Sequence, residues 1–347
     1  MAKQVDKNLI IQSKIKKEGM KFYDVNEAPF AVYGVWYDTD RFYRVPREVA
    51  VTVSPSIVQK SDQTAGGRVR FKTNSPYVAV KAEIHNTEEI SVMTALAARG
   101  FDLYADGIYK KSFTPSYNQW DGDFESLASL GTSEEREITI HFPLYAGVKS
   151  LYIGIDEKAT LEAAQPYDYD LPVVFYGSSI TNGAAASRPG MSYESILSRM
   201  LNVDHHNLGF GGSAKGEATM ADYVASLDMS AFVLDYDHNA PNVEHLQNTH
   251  EPMFRKVREK HPDLPIIIIS RPQYGPESDR DRRYEVIKQT YDNAVAAGDK
   301  NVYLLRGSEF FDGLSADFTV DGVHPTDLGF FFMAKGIAGT LRDALKK

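Results

Sequence analysis

Two consecutive serines, Ser178 and Ser179, close the apolar run LPVVFYG, and an aspartate and a histidine three residues apart, Asp321 and His324, stand in the loop DGVHPTDLG. A serine hydroxyl attacks a carbonyl efficiently only when a base takes its proton, a carboxylate orients that base, and preorganised donors meet the developing oxyanion. Spacing of i and i+3 across a glycine-containing turn lets Asp321 hold one imidazole nitrogen of His324 while the other faces Ser179. Donors are on offer in the glycine-rich stretch NLGFGGSAKG, through a backbone N–H, and in the Asn239 amide of DYDHNAP. The order along the chain is nucleophile, donors, then acid and base together.

Such residues need elements that hold them at one place. From about Val173 onward, short apolar runs alternate with helical stretches: Val173 to Tyr176, Val203 to Leu208, Phe232 to Asp235, Ile266 to Ser270 and Val302 to Leu305. Between them YESILSRML and RYEVIKQTYDNAVAA carry apolar residues at helical spacing. This alternation predicts a parallel sheet covered by helices on both faces, with the ligand site beyond the carboxyl ends of the strands. The serines and the donor loops all sit at such ends.

The first half of the chain reads differently. From about Val49 to Ile155 the dominant period is two: Val49, Val51 and Val53 in VAVTV, Val69 and Phe71 in RVRFK, and Ile138, Ile140 and Phe142 in EITIHF. Turn signals at Ser54-Pro55, Gly66-Gly67, Ser75-Pro76 and Asp106-Gly107 separate these runs, so the expectation is antiparallel strands in a β-sandwich. The boundary falls near EAAQPYDYDLP, Glu162 to Pro172. The expected organisation is an extension over residues 1–20, a sandwich over 21–165 and an α/β domain over 166–347.

Composition narrows the chemistry. The chain has 347 residues, 43% of them hydrophobic, and no cysteine, which excludes disulfides, thiolate metal sites and a cysteine nucleophile. A formal charge of -9 argues against broad binding to nucleic acid or anionic membranes. The opening MAKQVDKNLIIQSKIKKEGMKFYDV lacks a continuous apolar core and a small-residue cleavage site, and no later segment reaches membrane-spanning length. With Met1 as the native start the chain is expected to be cytoplasmic; trimmed of a signal peptide it would be exported. His205 and His206 are adjacent, and in a strand they point to opposite faces and cannot readily chelate one metal, so no metal is expected; no organic cofactor is expected either.

Taken together these blocks resemble the SGNH, or GDSL-type, serine hydrolases. That family's glycine-aspartate-serine block is similar to Gly177-Ser178-Ser179, which makes Ser179 the nucleophile and leaves Ser178 a structural hydroxyl where the family usually has aspartate. Its asparagine followed five residues on by an oxyanion glycine resembles Asn207 through Gly212, and its third block, with an asparagine donor, resembles Asp237-His238-Asn239-Ala240 without the usual glycine and final aspartate. Its aspartate-x-x-histidine block matches Asp321-Gly322-Val323-His324. The resemblance implies a flavodoxin-like three-layer domain with a five-stranded parallel sheet, a triad of Ser179, His324 and Asp321, and an oxyanion hole from the N–H groups of Ser179 and Gly212 with the Asn239 amide. SPYVAVKAEIH and GFDLYADG are similar to the jelly-roll-like β-sandwich that precedes this domain in some bacterial carbohydrate esterases.

The implied substrates are small acyl esters, O-acetyl groups on oligosaccharides above all. Aromatic clusters in YGVWYDTDRFYR, Tyr33 to Arg44, and SYNQW, Ser116 to Trp120, suit either sugar rings or packing between the two halves. Arg271 and Tyr274, after the fourth run, are candidates to line a pocket. Competing readings are a lysophospholipase or thioesterase acting on lipid acyl groups, and an inactive carbohydrate-binding protein. Self-association is left open.

Overall fold

The period-two stretches of the first half bury alternate residues between two antiparallel sheets. The computed structural model describes residues 13–272, 280–311 and 316–346. In chain order its first elements are β1 (Met20–Asp24), β2 (Ala31–Tyr33), β3 (Trp36–Asp38), β4 (Arg41–Tyr43), α1 (Arg47–Val53), α2 (Pro55–Lys60), β5 (Arg68–Thr73), β6 (Tyr77–His85) and α3 (Ala95–Arg99). There follow β7 (Phe101–Ala105), β8 (Ile108–Phe113), β9 (Gly122–Ser129), β10 (Arg136–His141), β11 (Gly147–Asp156) and β12 (Leu161–Glu162). One sheet runs β1-β11-β6-β9; the other runs β12-β5-β10-β7-β8, with β2 also on β5. Register sets Ile138 opposite Phe71 and Ile140 opposite Val69 and Leu103. These side chains share one apolar cluster with Val78, Val80, Leu151 and Ile153 of the other sheet, which makes the pair a sandwich.

One expected strand is a helix. Val49, Val51 and Val53 lie on α1, where Val51 is exposed while Ala50 is buried and Val49 and Val53 pack against the core of the second half. Residues four apart share a helix face as readily as they share a strand face, so the valines fit both periods. Packing of α1 against a later helix decides between them, overriding the strand preference of valine.

The second half continues with β13 (Val173–Gly177), α4 (Tyr193–Leu201), β14 (His205–Gly209), α5 (Ala218–Ser226), β15 (Ala231–Asp235), α6 (Val243–Lys260), β16 (Ile266–Ile269), α7 (Arg280–Ala296), β17 (Val302–Leu305) and α8 (Asp327–Leu345). Its five strands form a parallel sheet in the order β14-β13-β15-β16-β17, the flavodoxin-like arrangement. Alternation along each strand sends Val174, Tyr176, Phe232 and Leu234 to one face, against α5 and α6. Val173, Phe175, Ala231 and Val233 go to the other, against α4 and α8. Both faces are therefore dry, as a parallel sheet requires. Among the described residues no helix is long and apolar enough to cross a membrane.

Candidate active site

Strand β13 ends at Gly177, where nothing larger fits. A Cβ there would stand 1.9 Å from Thr181 Oγ1 and 2.6 Å from the Asp235 carbonyl oxygen. The chain then turns tightly. Ser178 is buried, its Oγ accepting the Ile180 N–H at 3.1 Å, and its carbonyl accepts the Asn182 N–H at 3.0 Å. Beneath the turn, the buried Asp235 carboxyl group accepts from Tyr193 Oη at 3.0 Å and Thr181 Oγ1 at 3.2 Å. Burial, with the Asp237 charge adding to it, pushes the Asp235 carboxyl well above the ordinary carboxylate range.

Ser179 is left half-buried with its hydroxyl outward. Its Oγ lies 2.9 Å from His324 Nε2, and His324 Nδ1 lies 2.8 Å from Asp321 Oδ2. A carboxylate only accepts, so His324 carries its proton on Nδ1 and donates it in a hydrogen bond to Asp321, which leaves Nε2 free to take the serine proton. The loop is built to hold this: Asp321 Oδ1 accepts the N–H groups of Val323 at 3.0 Å and His324 at 2.8 Å, and Gly322 takes a left-handed φ of +82°. Partial burial works to raise the Asp321 carboxyl, but the His324 N–H, its imidazole and the Val323 N–H outweigh it and hold the group below its ordinary range. The structure thus brings Ser179, His324 and Asp321 into one hydrogen-bonded line.

The candidate donors arrive from the neighbouring strand ends. Asn207 sits inside the sheet, its Nδ2 donating to the Thr181 carbonyl at 2.6 Å and its Oδ1 accepting the Gly209 N–H at 2.8 Å, so it ties the serine turn to the glycine loop. Gly211 packs against the nucleophile turn: a Cβ on it would lie 3.3 Å from Ser179 Cβ. Gly212 is exposed, with φ +69° and open space around it. Asn239 closes a short 3-10 turn after β15, and its Nδ2 donates to the Phe210 carbonyl at 2.9 Å, which leaves one amide hydrogen for another acceptor. His238 has a buried Nδ1 without a partner among the described residues, and burial together with the charges of Arg271 and His324 lowers it to about 3.

Residues from the first half that no spacing announced complete the surroundings. Arg44, wholly buried, donates to the carbonyls of Gln63 at 2.6 Å, Lys60 at 3.2 Å, Asn207 at 3.1 Å and Gly209 at 2.8 Å, and burial lowers it to about 9. Tyr145 Oη donates to the Ser179 carbonyl at 3.5 Å, and Asn182 Nδ2 donates to the Leu144 carbonyl at 3.0 Å. In GFDLYADG, buried Asp102 accepts from Arg188 at 3.0 Å and from the Gly190 N–H at 2.9 Å, anchoring the chain just after the nucleophile turn. In the aromatic stretches Trp36 lies against His206 and Tyr43 and Arg99 sits 3.9 Å over the Trp120 ring, while Tyr117 is exposed. His205 and His206 are both buried in β14, His206 Nε2 bonding to the Arg44 carbonyl. Among the described residues no cluster of carboxylates and histidines could hold a metal. Arg271 is buried, its N–H 3.4 Å from Asp237 Oδ2, and Tyr274 lies outside the described residues.

Comparison with known proteins gives this geometry a context. Residues 170–342 match the GDSL-like lipase/acylhydrolase family, and residues 20–161 match a family described as the N-terminus of SGNH-hydrolase-type esterases. No curated protein matches the chain. Among solved structures, a protein of Bacteroides ovatus described as a GDSL-like lipase is 30% identical over 94% of this chain and 98% of its own, with a TM-score of 0.84. A salicylyl-acyltransferase from a tetracycline biosynthetic pathway is 18% identical over 94% and 98%, with a TM-score of 0.79. An acetyl xylan esterase from the rumen bacterium Butyrivibrio proteoclasticus is 14% identical over 94% and 99%, with a TM-score of 0.61. The last two share the fold.

Proposed function

The chain belongs to the GDSL-like lipase/acylhydrolase family and is a carboxylic ester hydrolase, and from that premise we propose that it removes O-acetyl groups from carbohydrates through Ser179, His324 and Asp321. The observation that carries the reading is the 2.9 Å and 2.8 Å line from Ser179 Oγ through His324 to Asp321. His324 Nε2 takes the hydroxyl proton as Ser179 Oγ attacks the ester carbonyl; Asp321 keeps the proton on Nδ1 and stabilises the imidazolium. The N–H groups of Ser179 and Gly212 and the free Asn239 amide hydrogen hold the oxyanion. Collapse expels the alcohol, protonated by His324, and water repeats the sequence to release the acid.

Support for a small acyl group on a sugar comes from the openness of the site, where Gly212 and Asp321 are exposed, and from the shared fold of the acetyl xylan esterase. An acetyl group offers a single methyl for binding, so discrimination must come from the alcohol side. The test is a series of p-nitrophenyl esters of increasing acyl length beside acetylated xylan and other acetylated oligosaccharides. Acetyl esters should be cleaved fastest, EDTA should leave the rate unchanged, and an acetylated oligosaccharide should be deacetylated. A preference for octanoyl or longer chains would overturn the reading in favour of a lipid acyl hydrolase.

A further inference from the structure

The two halves of the chain line a partly open cavity of about 380 Å³ on the side of the molecule away from Ser179. Its walls are β5, β7 and β10 of the sandwich, Tyr167 of the linker and the last turn of α4, which leads into the amino end of β14. Ser179 stands past the carboxyl ends of the same sheet, so this space belongs to a different site.

Its lining includes polar groups that have no hydrogen-bond partner among the described residues. His141 is 2% exposed and neither of its ring nitrogens has such a partner. Arg70 is 7% exposed; Nη2 pairs with Glu137 at 3.2 Å, while buried Nη1 has no partner among the described residues. The same holds for buried Arg199 Nη1. Buried donors without acceptors are costly, and a native fold seldom retains three side chains of this kind around one space without something to fill it.

The geometry also says what kind of group would fit. The Arg70 guanidinium lies 4.2 Å over the Tyr167 ring and the Arg199 guanidinium 4.5 Å over the Tyr104 ring, so each is positioned by an aromatic face. Of the acids lining the cavity, Glu137 is already engaged, one oxygen by Arg70 and the other by the Gln165 N–H at 2.8 Å. Asp106 is exposed at the rim and accepts the Glu137 N–H at 2.9 Å. Burial and the nearby charges of Arg199, Arg68 and Arg188 keep His141 neutral, leaving it one N–H to donate. Donors with planar edges, in excess over free acceptors, match the oxygens of a carboxylate or a phosphoryl group. A water molecule occupies about 30 Å³ of liquid, so the space takes more than an isolated ion and has room for a sugar-sized body behind the charge.

We propose that this cavity is a second binding site, for a compact oxyanion, either free phosphate or the carboxylate of a sugar acid, held by Arg70, Arg199 and His141 across the boundary between the two halves. The test is calorimetric titration of the full chain with inorganic phosphate and with glucuronate, using glucose as the neutral control. Saturable binding of one anion or both in the millimolar range or tighter, with glucose silent, is the expected result; tighter glucuronate binding identifies a sugar acid, and phosphate alone identifies a free oxyanion. Arg199→Gln and, on the opposite wall, Arg70→Gln should each weaken that binding by about tenfold or more. Both variants should keep the far-ultraviolet circular dichroism and the p-nitrophenyl acetate turnover of the parent, because neither residue touches the ester site. If one variant does not fold, the other carries the comparison. No saturable binding of either anion, or affinities unchanged in the folded variants, overturns the proposal and leaves the cavity to solvent.

Discussion

Ser178 and Ser179 differ by one position, and the turn after β13 gives them separate environments. Ser178 Oγ is buried on the Ile180 N–H, while Ser179 Oγ meets His324. Ser179→Ala should abolish nearly all ester hydrolysis in a folded protein, whereas Ser178→Ala should keep most turnover and lose about 0.5–2 kcal/mol of stability, as a lost capping hydroxyl does. Steady-state kinetics and denaturant midpoints of the two variants check this, and exchanged results would move the nucleophile by one residue. Asp321→Asn retains an oxygen for the Val323 and His324 N–H groups but favours the wrong imidazole tautomer, so kcat should fall by about 10⁴ with an unchanged midpoint. Asn239→Ala should lower kcat by about 10² to 10³ and leave KM nearly constant, because a donor aimed at the oxyanion acts mainly in the transition state. Ser179 was legible in the sequence because it follows a strand end, and Asp321 and His324 because they stand three positions apart across a glycine just ahead of a helix. Arg44 and Tyr145 were not, since nothing local distinguishes an arginine or tyrosine that reaches another part of the chain.

Elements were legible where one period fitted and illegible where two did. β13, β15, β16 and β17 are short apolar runs too short for buried helices, β14 (HHNLG) follows the apolar Val203, and each appears as a strand. VAVTV failed because Val49 and Val53 satisfy both a strand and a helix face, and the deciding partner, α5, lies far along the chain. At this scale the buried network under β13 makes a testable claim about pH. The Asp235 carboxyl is raised in the folded protein, so the native state keeps its proton to higher pH than the unfolded chain, whose aspartates release theirs near about pH 3.9. The contribution of this group is therefore fully present below about pH 4 and is lost as pH rises toward the folded value. Asp235→Asn keeps an oxygen for Tyr193 and Thr181 but cannot ionise. Urea midpoints measured from about pH 4 to about pH 8 should show the variant gaining on the parent as pH rises; parallel curves would mean that the carboxyl is not held protonated.

At the scale of the whole molecule the two halves share their cores, and this was the least legible feature because every contact that creates it joins distant positions. Val45, Ala50 and Ile57 belong to the apolar cluster on one face of the parallel sheet, and Ala65, Ala97, Leu144 and Tyr145 to the cluster on the other. Arg44 binds the end of β14 through two carbonyls, and Arg68 reaches the carbonyl of His205 and the carboxylate of Asp204. Each large apolar side chain in those clusters is worth roughly 1.5–3 kcal/mol when fully buried, and hydrogen bonds from a charged group about 1.5–3 kcal/mol. Several such contributions together rival the entire stability of an ordinary domain, about 5–15 kcal/mol. The parallel-sheet half should therefore not survive alone, even though it carries Ser179, Asp321, His324 and the candidate donors. A fragment of residues 166–347 is expected to show no cooperative thermal transition, no labelling of Ser179 by a fluorophosphonate and no turnover of p-nitrophenyl acetate, a substrate too small to need contacts outside the site. Mixing it with a separately produced fragment of residues 1–165 should restore labelling if the interface alone is missing. A fragment that melts cooperatively and hydrolyses p-nitrophenyl acetate at the rate of the intact chain would show that the first half is an attachment rather than a wall of the fold.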